Sequence, residues 1–228
     1  MTGARPRVGI VDYGAGNLVS IEQALGVVGA EAVFVRHADD LAGIEALVVP
    51  GVGAADPAMR RLARARLVDP ILGWIAAGRP YLGICLGLQL LFDGSDEDGA
   101  ETFGVLPGRT VRLEDAPTLP HIGWNQVERE REHPLLAGID DGADFYFVHS
   151  YAGLPEAGDP SADDVVVART VHGRPFVSVV ARGPVLGVQF HPERSGRDGL
   201  RLLHNFVALA ATGAPAGLAA AGAAGAAR

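Results

Sequence analysis

Four short runs of almost unbroken apolar residues, at 7–13, 32–36, 46–49 and 81–84, constrain this chain more than any other feature. A strand with one wet face alternates apolar and polar residues, so a run that is apolar throughout must be buried on both faces. Segments of helical period separate the runs. Ile21, Leu25 and Val28 recur at helical spacing over 18–28, with Asn17 placed to cap the start and Gly29 to stop the helix. Residues 56–66 and 67–77 read as two short helices divided near Asp69-Pro70, and 86–92 has helical character. Strands alternating with helices imply an α/β fold, a mostly parallel central sheet with helices on both faces. The second half is richer in strand, with candidates at 145–149, 165–171, 176–181 and 185–190 and a closing helix over 200–211.

The 228 residues suit one domain, expected to span 1–211. Residues 212–228 are almost pure Ala, Gly and Pro and offer no large apolar face, so a frayed, dispensable tail is expected there. The formal net charge of −8 disfavours phosphate backbones and anionic lipid, which argues against nucleic-acid and membrane partners. All 19 basic residues are arginine, which excludes Schiff-base and P-loop lysines. A single cysteine rules out an intramolecular disulfide and a multi-thiolate metal site within the chain. The N-terminal apolar stretch is too short for a signal peptide, and no run of about 18 apolar residues exists. A cytoplasmic location is the expectation. The acidic stretch at 93–101 reads as a solvated loop.

Three segments carry chemistry. In Gly83-Ile84-Cys85-Leu86-Gly87-Leu88-Gln89 a buried strand ends, a cysteine follows and a helix begins. Glycines two positions away on each side permit the sharp strand-to-helix turn that lifts a nucleophile out of a sheet. A helix N-terminus beside the sulfur favours thiolate, and the Leu86 N–H is free for an oxyanion. In Gly187-Val188-Gln189-Phe190-His191-Pro192-Glu193 a strand ends in a histidine with an acid two residues on, on the same side of an extended segment. Pro192 biases His191 towards extended geometry, and Glu193 is placed to fix the imidazole as the third member of a triad does. The third segment is Pro50-Gly51-Val52-Gly53, after the 46–49 strand, whose Val52 N–H is a candidate second oxyanion donor. Each segment alone is as well read as a buried cysteine, a surface His beside a turn, and a Pro-Gly turn; together they point to a cysteine hydrolase.

Two other patterns fail. Asp12-Tyr13-Gly14-Ala15-Gly16-Asn17 follows a strand as a dinucleotide fingerprint does, but Val19 stands where its third glycine belongs. Ser150 lacks a Gly-x-Ser-x-Gly setting and is rejected as a nucleophile.

Taken in this order, the three segments resemble the class I (triad) glutamine amidotransferases over roughly 8–211. The resemblance implies Cys85 as nucleophile towards the side-chain amide of glutamine, His191 as general acid/base and Glu193 as its orienting partner. It implies an oxyanion site at Gly51, Val52, Gly53 and Leu86, and glutamine held by Gln89 and the backbone around His149, Ser150 and Tyr151. No cofactor or metal is expected. Where most members carry Pro-Gly-Gly, this chain has Pro50-Gly51-Val52-Gly53. With Asp12-Tyr13-Gly14-Ala15-Gly16-Asn17, Gly123-Trp124-Asn125 and Phe147-Val148-His149-Ser150-Tyr151, it is similar to the branch of the family that feeds ammonia to a (β/α)8 barrel cyclase subunit in histidine biosynthesis. That likeness implies a heterodimer with Asn17, Trp124, Asn125 and Arg194 at the partner interface. Leu88 and Ile122 stand where methionine is frequent, and Arg194 where lysine is usual. The alternatives are a glutaminase serving another synthase and a non-catalytic module of the same fold.

Overall fold

The computed structural model describes residues 5–156 and 164–212. Of the Ala/Gly-rich tail only Thr212 falls among them; the rest of 212–228 lies outside the described residues. The chain opens with β1 (Arg7–Val11), α1 (Leu18–Val27), β2 (Glu31–Val35) and β3 (Ala46–Gly51). The helices α2 (Ala55–Arg64) and α3 (Val68–Ala76), then β4 (Tyr81–Cys85) and α4 (Leu86–Gln89), follow. The second half supplies β5 (Gly94–Ser95), β6 (Gly108–Arg112), β7 (His121–Arg129), β8 (Ala143–His149), β9 (Tyr151–Pro155), β10 (Val166–His172), β11 (Arg174–Arg182) and β12 (Val185–Val188). The helix α5 (Gly196–Ala211) follows these strands.

Among the described residues, nine strands form one sheet in the order β2-β1-β3-β4-β12-β11-β10-β7-β8, and β5-β6-β9 form a smaller second sheet. The run from β2 to β12 is parallel, and from β12 to β8 every pairing is antiparallel. The apolar runs of the first half occupy the parallel part, as double-sided burial demands. Along β3, Ala46 and Val48 join the core beneath α1 and α5, while Leu47 and Val49 join the core beneath α2 and α3. That period-two split places helices on both faces.

Local chemistry sets the boundaries. Asn17 caps α1 by accepting from the Ser20 N–H at 3.4 Å, and Gly29 leaves the helix with φ +88°. The break between α2 and α3 falls at Arg66, whose φ is 55°, and not near Asp69-Pro70. Pro70 instead lies in the first turn of α3, where its missing N–H costs nothing. The helix expected over 86–92 is a single turn, Leu86–Gln89. Strands β6, β7 and β9 were not expected. Outward residues interrupt the apolar pattern of β7, where Ile122 and Trp124 face out while His121 and Val127 are buried.

Helix α5 closes the sheet by burying Leu202, Leu203, Phe206 and Val207. Phe206 is 1% exposed, so Phe206→Ala should cost about 3–5 kcal/mol in urea unfolding. Val27 on α1 is 71% exposed, and Val27→Ala should stay within about 0.5 kcal/mol. Equal losses would contradict this assignment of the core.

Candidate active site

Strands β3, β4 and β12 are neighbours, run parallel and end together. Gly51 stands opposite Cys85 across β3/β4, and Val188 opposite Ile84 across β12/β4. The carboxyl ends of strands in an open α/β sheet are where ligands bind. All three segments picked out from the sequence therefore meet in space.

Cys85 is the last residue of β4 and has φ 54° and ψ −107°. This left-handed conformation in a non-glycine residue costs about 1–3 kcal/mol and persists only where its surroundings enforce it. Close packing enforces it here. A Cβ on Gly83 would collide with the Gly87 carbonyl, and one on Gly87 with the Val49 carbonyl. From beneath, the buried Tyr81 hydroxyl donates to the Gly87 carbonyl at 3.0 Å. The elbow is thus clamped between β3 and β4. One helical turn beyond it supplies little dipole, so the main support for a thiolate comes from side chains.

His191 provides part of that support. Its backbone is fixed by N–H donation to the Tyr146 carbonyl at 2.9 Å and by the Ser195 hydroxyl on its own carbonyl at 2.6 Å. Its Nδ1 lies 2.9 Å from Glu193 Oε1, and both side chains are buried. The carboxylate only accepts, so Nδ1 carries the proton. Burial opposes charge on the imidazole, but the negative charge of Cys85 and the hydrogen-bonded carboxylate of Glu193 outweigh burial and hold the His191 pKa well above its usual value. The imidazolium therefore persists through neutral pH and is lost only as pH rises through that raised value. Its Nε2 is buried with no hydrogen-bond partner among the described residues.

A second group reaches the sulfur. Gln189, fully buried one residue past β12, has its Nε2 3.6 Å from Cys85 Sγ. Gln89 Nε2 donates to the Tyr151 carbonyl at 2.7 Å and lies 3.1 Å from Gln189 Oε1. The same Tyr151 carbonyl receives His149 Nδ1 at 2.9 Å. His149 Nε2 then accepts from His121 Nδ1 at 3.1 Å, and His121 Nε2 from Asn125 Nδ2 at 3.1 Å. Burial pushes His149 down to about 3 and His121 to about 4, so both are neutral hydrogen-bonding spacers. Gln189 and His121 have little signal in the sequence: Gln189 is one polar residue beside the apolar run of β12, and His121 begins a strand whose residues mostly face outward.

Facing Cys85 is a cavity of about 180 Å³, lined also by Gly53, Gln89, His149, Ser150 and Tyr151. It is smaller than the roughly 300–1,000 Å³ of drug-sized sites and suits a small metabolite. Pro120, Val148 and Glu97 complete the lining. The acids of 93–101 are exposed, as a solvated loop requires, and Glu97 among them also lines the rim of the cavity. At the oxyanion segment, Gly53 takes φ +89°. The Tyr13 hydroxyl donates to the Pro50 carbonyl at 2.9 Å, and burial together with the charge of Cys85 raises the Tyr13 pKa. The failed dinucleotide fingerprint is therefore a brace for this segment.

The residues assigned to an interface divide. Trp124 is 57% exposed, its ring is edge-on to Tyr146, and Arg194 stacks over Tyr146 at 4.1 Å, so Trp124 and Arg194 share one face. Asn17 is exposed at the start of α1, which packs against the 192–194 turn. Asn125 is half-buried, and its amide is committed inward to His121 and to the Val171 carbonyl.

Charge pairing around the sulfur can be tested directly. Glu193→Gln removes one cause of the raised His191 pKa, so the imidazolium discharges at lower pH and the thiolate loses its counter-charge. Iodoacetamide alkylation of Cys85 at pH 6 should slow by about tenfold for each unit by which the thiol rises. An unchanged pH profile of alkylation would contradict the charged pair.

Comparison with known proteins agrees with this geometry. The class-I glutamine amidotransferase family model matches residues 9–210. The imidazole glycerol phosphate synthase subunit HisH of Symbiobacterium thermophilum is 49% identical, covering 88% of this chain and 92% of that protein. The subunit of the same name from Thermobifida fusca is 45% identical, covering 90% and 99%. Among solved structures, PurLQS from Thermotoga maritima superposes with a TM-score of 0.70 at 21% identity, over 90% of this chain and 99% of that one. A glutamine amidotransferase crystal structure gives 0.69 at 24% identity, over 90% and 98%. The chain belongs to the class-I glutamine amidotransferase family.

Proposed function

We propose that this chain is the glutaminase subunit of imidazole glycerol phosphate synthase, acting in histidine biosynthesis. It hydrolyses glutamine to glutamate and ammonia and works with a partner subunit in a synthase complex. The supporting observation is Cys85, held in a left-handed conformation at the end of β4 and coupled to the buried His191–Glu193 pair.

In this reading the Cys85 thiolate attacks the side-chain carbonyl carbon of glutamine. The carbonyl π electrons move to oxygen, and the oxyanion is met by the N–H groups of Leu86 and Val52. The His191 imidazolium, whose Nε2 has no hydrogen-bond partner among the described residues, protonates the leaving nitrogen, and ammonia departs as the carbonyl re-forms. The resulting γ-glutamyl thioester is hydrolysed when neutral His191 takes a proton from water, and the second tetrahedral adduct collapses with sulfur leaving as thiolate, which restores the thiolate–imidazolium pair. Glu193 keeps the imidazole in one tautomer throughout. Gln89, His149, Ser150 and Tyr151 shape the cavity, and the Glu97 carboxylate suits the α-ammonium of the substrate.

The partner of this reading is a (β/α)8 barrel cyclase that receives the ammonia. It docks on the face carrying Trp124, Arg194 and Asn17, where exposed Ile122 adds apolar surface. The partner tunes the oxyanion segment. Gly53 is the position that permits such tuning, because open space surrounds it and only its positive φ restricts it. Gly51 is unsuited to the same role, since a Cβ there would overlap the Tyr13 hydroxyl. The cytoplasm is the compartment that suits this pathway.

Cys85→Ala should abolish glutamine-dependent synthesis by the assembled complex while synthesis from added ammonia continues. Residual glutaminase within about tenfold of wild type, a barrier change of only ~1.4 kcal/mol, would overturn the assignment of Cys85.

A further inference from the structure

We infer that Gln189 is a further catalytic residue of this site, a buried amide donor that stabilises the Cys85 thiolate. Hydrogen-bond directions along the network lead to this role. The Tyr151 carbonyl can only accept, so the end of Gln89 that lies 2.7 Å from it is the amide nitrogen. That nitrogen has a second hydrogen, and the Gln189 atom 3.1 Å away must therefore be an acceptor, Oε1. The Gln189 amide is thus fixed in one of its two orientations, with Nε2 turned to Cys85 Sγ at 3.6 Å. The opposite orientation would set two amide donors against each other and an oxygen against the sulfur.

An N–H aimed at sulfur distinguishes the two protonation states. A thiol is a weak acceptor, whereas a thiolate is charged and accepts well. Gln189 is fully buried, so its N–H has no water to turn to, and donation to the charged form favours that form. Gln189 and His191 lie two apart where the chain leaves β12, so one strand end supplies both the amide on the sulfur and the imidazole. They differ in kind. His191 must change protonation during turnover, while the amide is neutral at every step. Gln189 therefore meets the charge on sulfur both when the thiolate attacks and when sulfur departs from the second tetrahedral adduct, whatever proton His191 holds.

The inference rests on Cys85 being the nucleophile. Alkylation reads the thiolate without substrate, so failure of the inference is separable from failure of that reading, which the Cys85→Ala assay decides. Iodoacetamide alkylation of Cys85 is followed against pH in the full chain and in Gln189→Met and Gln189→Glu. In Gln189→Met the midpoint should rise by about one pH unit, a rate about tenfold lower on the acid side. Gln189→Glu should raise it further, because a carboxylate then faces the sulfur. In the holoenzyme kcat for glutamine should fall with KM little changed, since Gln189 contacts the nucleophile. Should Gln189→Met fail to fold, Gln89→Met leaves Gln189 in place but frees its amide to turn, and a smaller rise in the same direction is expected. An alkylation midpoint equal to wild type in the folded variants overturns the inference.

Discussion

Three neighbouring parallel strands that end at one level hold the rest of this structure to its task. Register across β3, β4 and β12 puts Gly51, Cys85 and the segment leading to His191 side by side. Because parallel strands share one direction, their carboxyl ends open on the same edge of the sheet, and turns leaving them point into the same space. Slippage of one residue in either pairing would turn side chains to the opposite face and separate Cys85 from Gly51 and from the segment carrying His191. The two cores on either side of the sheet, one under α1 and α5 and one under α2 and α3, fix that register.

Strain at Cys85 follows from this arrangement. The backbone must leave β4 abruptly for the side chain to clear the sheet, and the price is a left-handed cysteine. Packing too tight for a Cβ at Gly83 and Gly87, and the hydrogen bond of buried Tyr81 to Gly87, keep the chain there. The single turn of α4 contributes little dipole. In the proposed mechanism the charge on sulfur is instead balanced by His191, backed by Glu193, and met by the amide of Gln189. A buried polar network of this kind stabilises only if its members are satisfied. Directed hydrogen bonds from Asn125 through His121 and His149 to Tyr151 and Gln89 keep each amide and ring in one orientation.

Much of this was legible in the sequence because burial writes itself into composition. The runs at 46–49 and 81–84 are apolar throughout, and both are inner strands of the parallel part. Cys85 was legible through its flanking glycines, and His191 through the acid two residues on. The strand β7 was not, because its outward residues break the apolar pattern and its buried members include a histidine. Gln189 was hidden for a related reason: one polar residue inside an apolar segment does not reveal what it faces. The acidic run is solvated as its charge implies, and nothing in it marks Glu97 as the member that also borders the cavity. The break at Arg66 depends on a local positive φ that arginine does not advertise.

The proposed mechanism requires a covalent glutamyl group to form on, and leave, the sulfur of Cys85. The most direct measurement is peptide-mapping mass spectrometry of the holoenzyme, acid-quenched during glutamine turnover. The account predicts a γ-glutamyl thioester on the peptide containing Cys85, lost on mild base treatment. Turnover with no adduct at Cys85 even in a variant slowed at the hydrolysis step, or an adduct on any other residue, would contradict it.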